Sequence, residues 1–128
     1  MEQLILHLFG DYITQNDNVA TRKKEKSLTG LLYCLFHCIT YSLPFLLITS
    51  WIGVLLIGIG HFILDRWNVV SYVIALKNGL YKEKKLDISN FGFIKDRPIY
   101  ITLWLYIIQD NVIHIIWNYL VILLVVLI

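Results

Sequence analysis

The chain alternates two long apolar runs and one short apolar run with two polar, basic segments. Apart from His37, the run Leu28 to Leu76 carries only His61, Asp65 and Arg66 as ionisable groups, and Ile99 to Ile128 carries only Asp110 and His114. About 20 apolar residues cross a bilayer core, so the first run is long enough to cross twice and the second once, with tilt to spare. A soluble bundle needs a polar stripe on each helix, and none is visible here.

Local signals divide the runs into elements. A first helix is expected from about Glu2 to Gln15, ended by the turn formers Asn16, Asp17 and Asn18. At 1.5 Å per residue it measures about 22 Å, a partial or re-entrant span. Val19 to Lys26 reads as an interfacial helix or loop among headgroups. A second helix starts at the N-cap Ser27 and runs to about Thr49 with a kink at Pro44. A third is expected from Ile52 to Leu76, where glycines 53, 58 and 60 permit close approach of a neighbour. Lys77 to Arg97 is a polar loop with turn signals at Asn78-Gly79 and Asn90-Phe91-Gly92, and Pro98 opens the last helix. The expected fold class is an all-α integral membrane bundle of about four helices, the first short or partial, in one domain spanning residues 1–128.

Composition agrees with this reading, since 58% hydrophobic residues and a mean hydropathy of +0.68 lie outside the range of an ordinary soluble domain. The opening Met-Glu-Gln lacks a basic n-region, so no removable signal peptide is expected there. Net charge is only +2, yet ten of the eleven Lys and Arg residues lie in two segments, about 16–27 and 77–97. By the positive-inside rule both face the cytoplasm of a multi-pass inner-membrane protein, with the uncharged junction near Thr49, Ser50 and Trp51 on the far side. The bilayer is then the first partner, and no nucleic acid is expected. Cys34 and Cys38 lie one turn apart on a single span and read as small apolar packing groups.

The buried ionisable residues change the picture most. His7 with Asp11, His61 with Asp65 and Asp110 with His114 are each four apart, which puts an imidazole and a carboxylate on one helical face. His37 stands on the second helix between Tyr33 and Tyr41 at the same spacing; Gln15, Asn68, Tyr72 and Asn118 extend the other stripes. Counted from the cytoplasmic ends, His7, His37, Asp65, Asp110 and His61 reach depths of roughly 13–22 Å, so they can meet at one level. Ionisable groups in hydrocarbon cost several kcal/mol unless paired or coordinated. Imidazole plus carboxylate is the ligand set of divalent ions, and bundle cores assemble such sites from facing helices.

The ordered motifs His7-x3-Asp11 followed by Gln15, then His37, His61-x3-Asp65 and Gln109-Asp110-x3-His114 resemble those of an uncharacterised family of small bacterial and phage integral membrane proteins, catalogued as a domain of unknown function. The resemblance covers nearly the whole chain and implies the fold and the site rather than a reaction. The His61-x3-Asp65 motif is also similar to one in inner-membrane proteins described as metal-dependent hydrolases, whose early His-Arg and Thr-His-Ser motifs are missing here.

The resulting expectation is a membrane-embedded metal-binding protein, a metal-dependent hydrolase of a lipid-linked or anionic substrate at the cytoplasmic leaflet. His7, Asp11, His37, His61 and Asp65 are the expected ligands of one or two divalent ions, zinc first and manganese or iron next. Asp110 and His114 are expected to complete a second ion or to act as acid–base groups. The alternatives are a transporter or channel subunit, homo-oligomeric to enclose a His/Asp path for protons or metal ions, and an accessory that binds a membrane partner through a fold with a structural polar cluster.

Overall fold

The computed structural model describes residues 1–82 and 85–127. Lys84 of the second basic segment lies outside the described residues, as do Glu83 and Ile128. The chain is mostly helical, in the order α1 (Glu2–Leu8), α2 (Asp17–Arg22), α3 (Leu28–Ser42), α4 (Trp51–Arg66), α5 (Val69–Lys77) and α6 (Ile99–Leu127). A two-stranded hairpin, β1 (Tyr81–Lys82) and β2 (Lys85–Leu86), precedes α6. The all-α expectation therefore holds, with a small hairpin where an irregular loop was expected.

Capping follows the sequence signals. Ser27 accepts the Gly30 N–H at 3.0 Å and starts α3, while Asn16 accepts the Val19 N–H at 3.0 Å and starts α2. Pro44 falls where α3 tightens into a 3-10 segment, Leu43–Leu47. Two stretches are long and apolar enough to cross a bilayer, Leu28–Leu47 and Ile99–Leu127, with a third if α4 and α5 together count as one broken span.

Two expected helices are corrected. The first does not run as a regular α-helix to Gln15: after Leu8 it widens into a π turn, Phe9–Ile13, closed by the Thr14 N–H bonding to the Phe9 carbonyl at 3.2 Å. The third is not continuous, because Asn68 adopts left-handed backbone (φ 51°, ψ 40°) and ends α4 before α5 begins. Asparagine visits that region more readily than other non-glycine residues. The apolar periodicity hid the break.

Backbone contacts group the chain into two compact units. The first comprises Met1–Trp67 with the part of α6 from His114 onward. Its apolar core is Tyr41, Phe45, Ile57 and Val121, backed by Leu6, Val54 and Trp117. Gly60 lets α6 approach α4, since a Cβ there would run into the Trp117 indole, which donates to the Leu56 carbonyl at 3.2 Å. Gly10 likewise leaves room for Tyr41, whose Cδ2 lies 2.5 Å from where its Cβ would stand.

The second unit, Asn68–Ile113, packs Val70, Ile74, Phe93 and Tyr106 together. The Tyr106 hydroxyl donates to Asn68 Oδ1 at 3.0 Å, and Lys77 Nζ donates to Gln109 Oε1 at 2.6 Å. Both expected turns form there, with Gly79 at φ 64° and Asn90, Phe91 and Gly92 all at positive φ. The Asp87 carboxylate accepts bonds from Ser89, which lower its pKa from the ordinary value.

Burial runs opposite to that of a soluble domain. All four histidines are buried at 0–1% exposure, while Leu32, Leu35, Phe36 and Ile39 on α3 and Leu43 just after it face outward. A surface that is apolar over a polar interior suits lipid rather than water.

Candidate metal centre

In the first unit the π turn, α3, α4 and the middle of α6, at His114, bring their polar side chains to one place. The centre is His37 and His61, whose Nε2 atoms lie 2.9 Å apart. Asp11 Oδ1 stands 3.3 Å from His37 Nε2 and 3.5 Å from His61 Nε2. Asp65 Oδ2 stands 3.7 Å from His37 Nε2 and 3.5 Å from His61 Nε2. From the other side, His114 Nε2 lies 3.9 Å from Asp65 Oδ1. Two ligand-competent triads result, Asp11–His37–His61 and His61–Asp65–His114.

These spacings can be tested against an ion. Four N and O ligands at 2.0–2.2 Å around a tetrahedral zinc lie about 3.3–3.5 Å from one another. Five of the six separations among these four donors, 2.9, 3.3, 3.5, 3.5 and 3.7 Å, bracket that value, while Asp11 and Asp65 fall in different triads. The donor set and its spacing fit a small divalent cation. The same contacts also make a salt-bridge network, which is the second way to hold buried carboxylates.

Around the donors lies a shell of partners. His7 Nδ1 is 3.5 Å from Asp11 Oδ2 and 2.8 Å from the Tyr41 hydroxyl, which also accepts the Asn118 side-chain amide at 2.6 Å. The Tyr41 ring stacks on His61 with centroids 3.7 Å apart. The Nδ1 atoms of His37 and His61 meet no hydrogen-bond partner among the described residues, so neither ring is oriented from its far side.

One group was not legible as part of the site. Lys23, 8% exposed, places its Nζ 2.5 Å from Asp65 Oδ2. In the sequence it reads as one of several topology-setting lysines. The signal that marks it is spacing: it follows Val19 by four, the buried position of α2, and so shares that helix's inward side. Arg66 fixes the segment by donating to the Lys23 and Glu25 carbonyls.

Of the expected ligands, Asp11, His37, His61 and Asp65 converge, and His114, expected at a second ion or as an acid–base group, joins the second triad. His7 belongs to neither triad and sits behind Asp11 as its partner. Asp110 belongs to neither triad and lies in the second unit. Cys34 and Cys38 are buried packing groups, as expected.

The charges do not balance among fixed groups. Lys23 compensates Asp65, whereas the ion-pair partners of Asp11 are the imidazoles of His7, His37 and His61. A second positive charge, as an imidazolium or a bound cation, or a proton on one of the two carboxyls would offset the cost of holding both acids in an apolar interior.

A helical chain with a buried His/Asp cluster and apolar helices of bilayer length is the class that fold and site define. Over residues 1–128 it matches the family described as "Protein of unknown function (DUF3307)", and the chain belongs to that family. Neither a curated protein nor a solved structure matches it.

Proposed function

We propose that this is a multi-pass membrane protein that holds a divalent metal ion in its His/Asp cluster and hydrolyses a lipid-linked substrate at the cytoplasmic leaflet. The observation that carries the reading is the set of donors Asp11 Oδ1, His37 Nε2, His61 Nε2 and Asp65 Oδ2, in which each carboxylate stands 3.3–3.7 Å from both imidazole nitrogens and those nitrogens are 2.9 Å apart. Zinc is the first choice for two imidazoles and two carboxylates, ahead of manganese and iron. When bound, such an ion supplies Lewis acidity and a water acidic enough to ionise near neutrality.

The chain's own residues have separate tasks. Three of Asp11, His37, His61 and Asp65 would hold the cation and leave its fourth position to water, and His7 with Tyr41 orients Asp11. His114, on the far oxygen of Asp65, is placed to take or give a proton. The basic segments set the orientation, with the apolar faces of α3, α4 and α6 against lipid. The test is metal analysis of the full chain purified in neutral detergent. One or two ions per chain are expected, lost in His61→Ala and Asp65→Ala while helix content by circular dichroism persists. Sub-stoichiometric metal that neither substitution changes overturns the reading.

A second reading rests on a different observation, the unbroken series Asn118, Tyr41, His7, Asp11, His37, His61, Asp65 and Lys23, each within hydrogen-bond or ion-pair reach of the next. Such a series suits a proton or metal-ion path, in an oligomer if one chain is too small to enclose it. Flux into proteoliposomes that Asp11→Asn abolishes supports it; substrate turnover without flux refutes it.

A further inference from the structure

Where α3 begins and α4 ends, Lys24, Lys26 and Arg66 rim a cavity of about 670 Å³ whose remaining lining is Leu31, Phe62 and Trp67. The Phe62 and Trp67 rings meet edge to face with centroids 5.8 Å apart, giving the cavity a firm aromatic wall. Arg66 is held in place, because Nη1 donates to the Lys23 and Glu25 carbonyls. That leaves its other guanidinium N–H groups to point elsewhere. The acidic neighbour Glu25 lies 3.5 Å from the Ser27 hydroxyl.

A second cavity, of about 560 Å³, runs along the seam of α3 and α4 between Leu35, Ile39 and Leu43 on one side and Val54, Leu55 and Ile59 on the other. Phe62 lines both cavities, and Trp51 lines the far end of the seam. From Phe62 to Trp51 the trough extends about 16 Å along α4 at 1.5 Å per residue. The basic cavity and the apolar trough thus meet at Phe62 within one unit.

We propose that these two cavities form one binding site for an anionic phospholipid, its net-negative headgroup between Lys24, Lys26 and Arg66 and one acyl chain laid along the α3–α4 trough. Charge complementarity selects the head. A neutral lipid has no use for three cations on one rim, and a free anion has none for Leu31, Phe62 and Trp67 beneath them. Positioned guanidinium and ammonium groups hold a phosphate by charge-assisted hydrogen bonds. The bilayer supplies such lipids at the level where basic segments lie. The rim meets the His/Asp cluster through Arg66, which bonds the carbonyl of Lys23, and the test substitutes none of the cluster's residues.

The experiment uses the full chain in a neutral detergent, titrated with phosphatidylglycerol or phosphatidylcholine of identical sixteen-carbon chains, with retained lipid read by native mass spectrometry. Phosphatidylglycerol should be retained on the order of tenfold more tightly, given three cations near the headgroup. The Lys24→Glu/Lys26→Glu variant should lose that preference. Lys95→Glu, which makes the same kind of charge reversal in the other basic segment, should keep it. Ile59→Trp should fill the trough and weaken the sixteen-carbon lipid while leaving a six-carbon phosphatidylglycerol unaffected. Should the double reversal unfold the protein, Lys24→Gln/Lys26→Gln must lose the preference instead. Equal retention of the two lipids, or equal loss in Lys95→Glu, overturns the site. Displacement of the lipid by inorganic phosphate at equal concentration overturns the lipid in favour of a free anion.

Discussion

Replacing Lys23 by methionine removes the one Lys or Arg paired with Asp65 among the described residues while keeping most of the side chain's volume. The two charges stand 2.5 Å apart with side chains 10% and 5% exposed, so solvent screening offers little discount. At an effective dielectric of 20 their attraction is about 7 kcal/mol, most of it offset by the desolvation of both groups. Breaking a buried pair by deleting one partner leaves the other charge uncompensated and costs about 3–5 kcal/mol. In chelator, Lys23→Met should therefore unfold roughly 10–20 °C below the parent chain. A divalent ion should restore much of this, since at one hundred times its dissociation constant it adds about 2.7 kcal/mol. The restoration should exceed the shift in the parent, because the ammonium no longer competes for Asp65. Lys23→Met/Asp65→Asn, with both charges gone, should recover most of the lost stability without metal. The assay is thermal unfolding in detergent, with and without zinc, followed by circular dichroism. A Lys23→Met chain within about 1 kcal/mol of the parent in chelator, or an equal metal shift in both, refutes the reasoning.

Three further outcomes are expected from single contacts. Tyr41→Phe deletes the hydroxyl on which His7 and Asn118 converge at 2.8 and 2.6 Å, and should cost about 1–3 kcal/mol in denaturant or thermal unfolding. Gly60→Ala drives a methyl group into the Trp117 indole that bonds the Leu56 carbonyl, and should cost about 1–3 kcal/mol with a shift in tryptophan emission. Gly92→Ala meets the Ser71 carbonyl and sits at φ 81°, so it should destabilise by about 1–2 kcal/mol, with faster hydrogen exchange at Asn78, whose side chain bonds the Gly92 carbonyl.

What the sequence determined by itself is local. Ser27 starts α3 because a hydroxyl just ahead of an apolar helix satisfies an exposed N–H, and Asn78-Gly79 turns because glycine accepts positive φ. The i, i+4 spacing put His7 with Asp11 and His61 with Asp65 on common faces, and the distances of 3.5 Å in each pair agree. Apolar length marked Leu28–Leu47 and Ile99–Leu127 as able to cross a bilayer.

Only the tertiary structure decided which of these faces met. His37 and His61 are 24 residues apart and touch because α3 packs on α4, a fact no periodicity contains. The π turn at Phe9–Ile13 and the break at Asn68 were hidden inside runs whose hydropathy is the same bent or straight. Lys23 was indistinguishable from Arg22 or Lys24 until α2 turned it toward Asp65, 42 residues further on. Caps, turns and spacing depend on neighbours within a turn of helix and so can be read along the chain. Whether a charge is solvated or buried against its opposite depends on groups that meet only after folding.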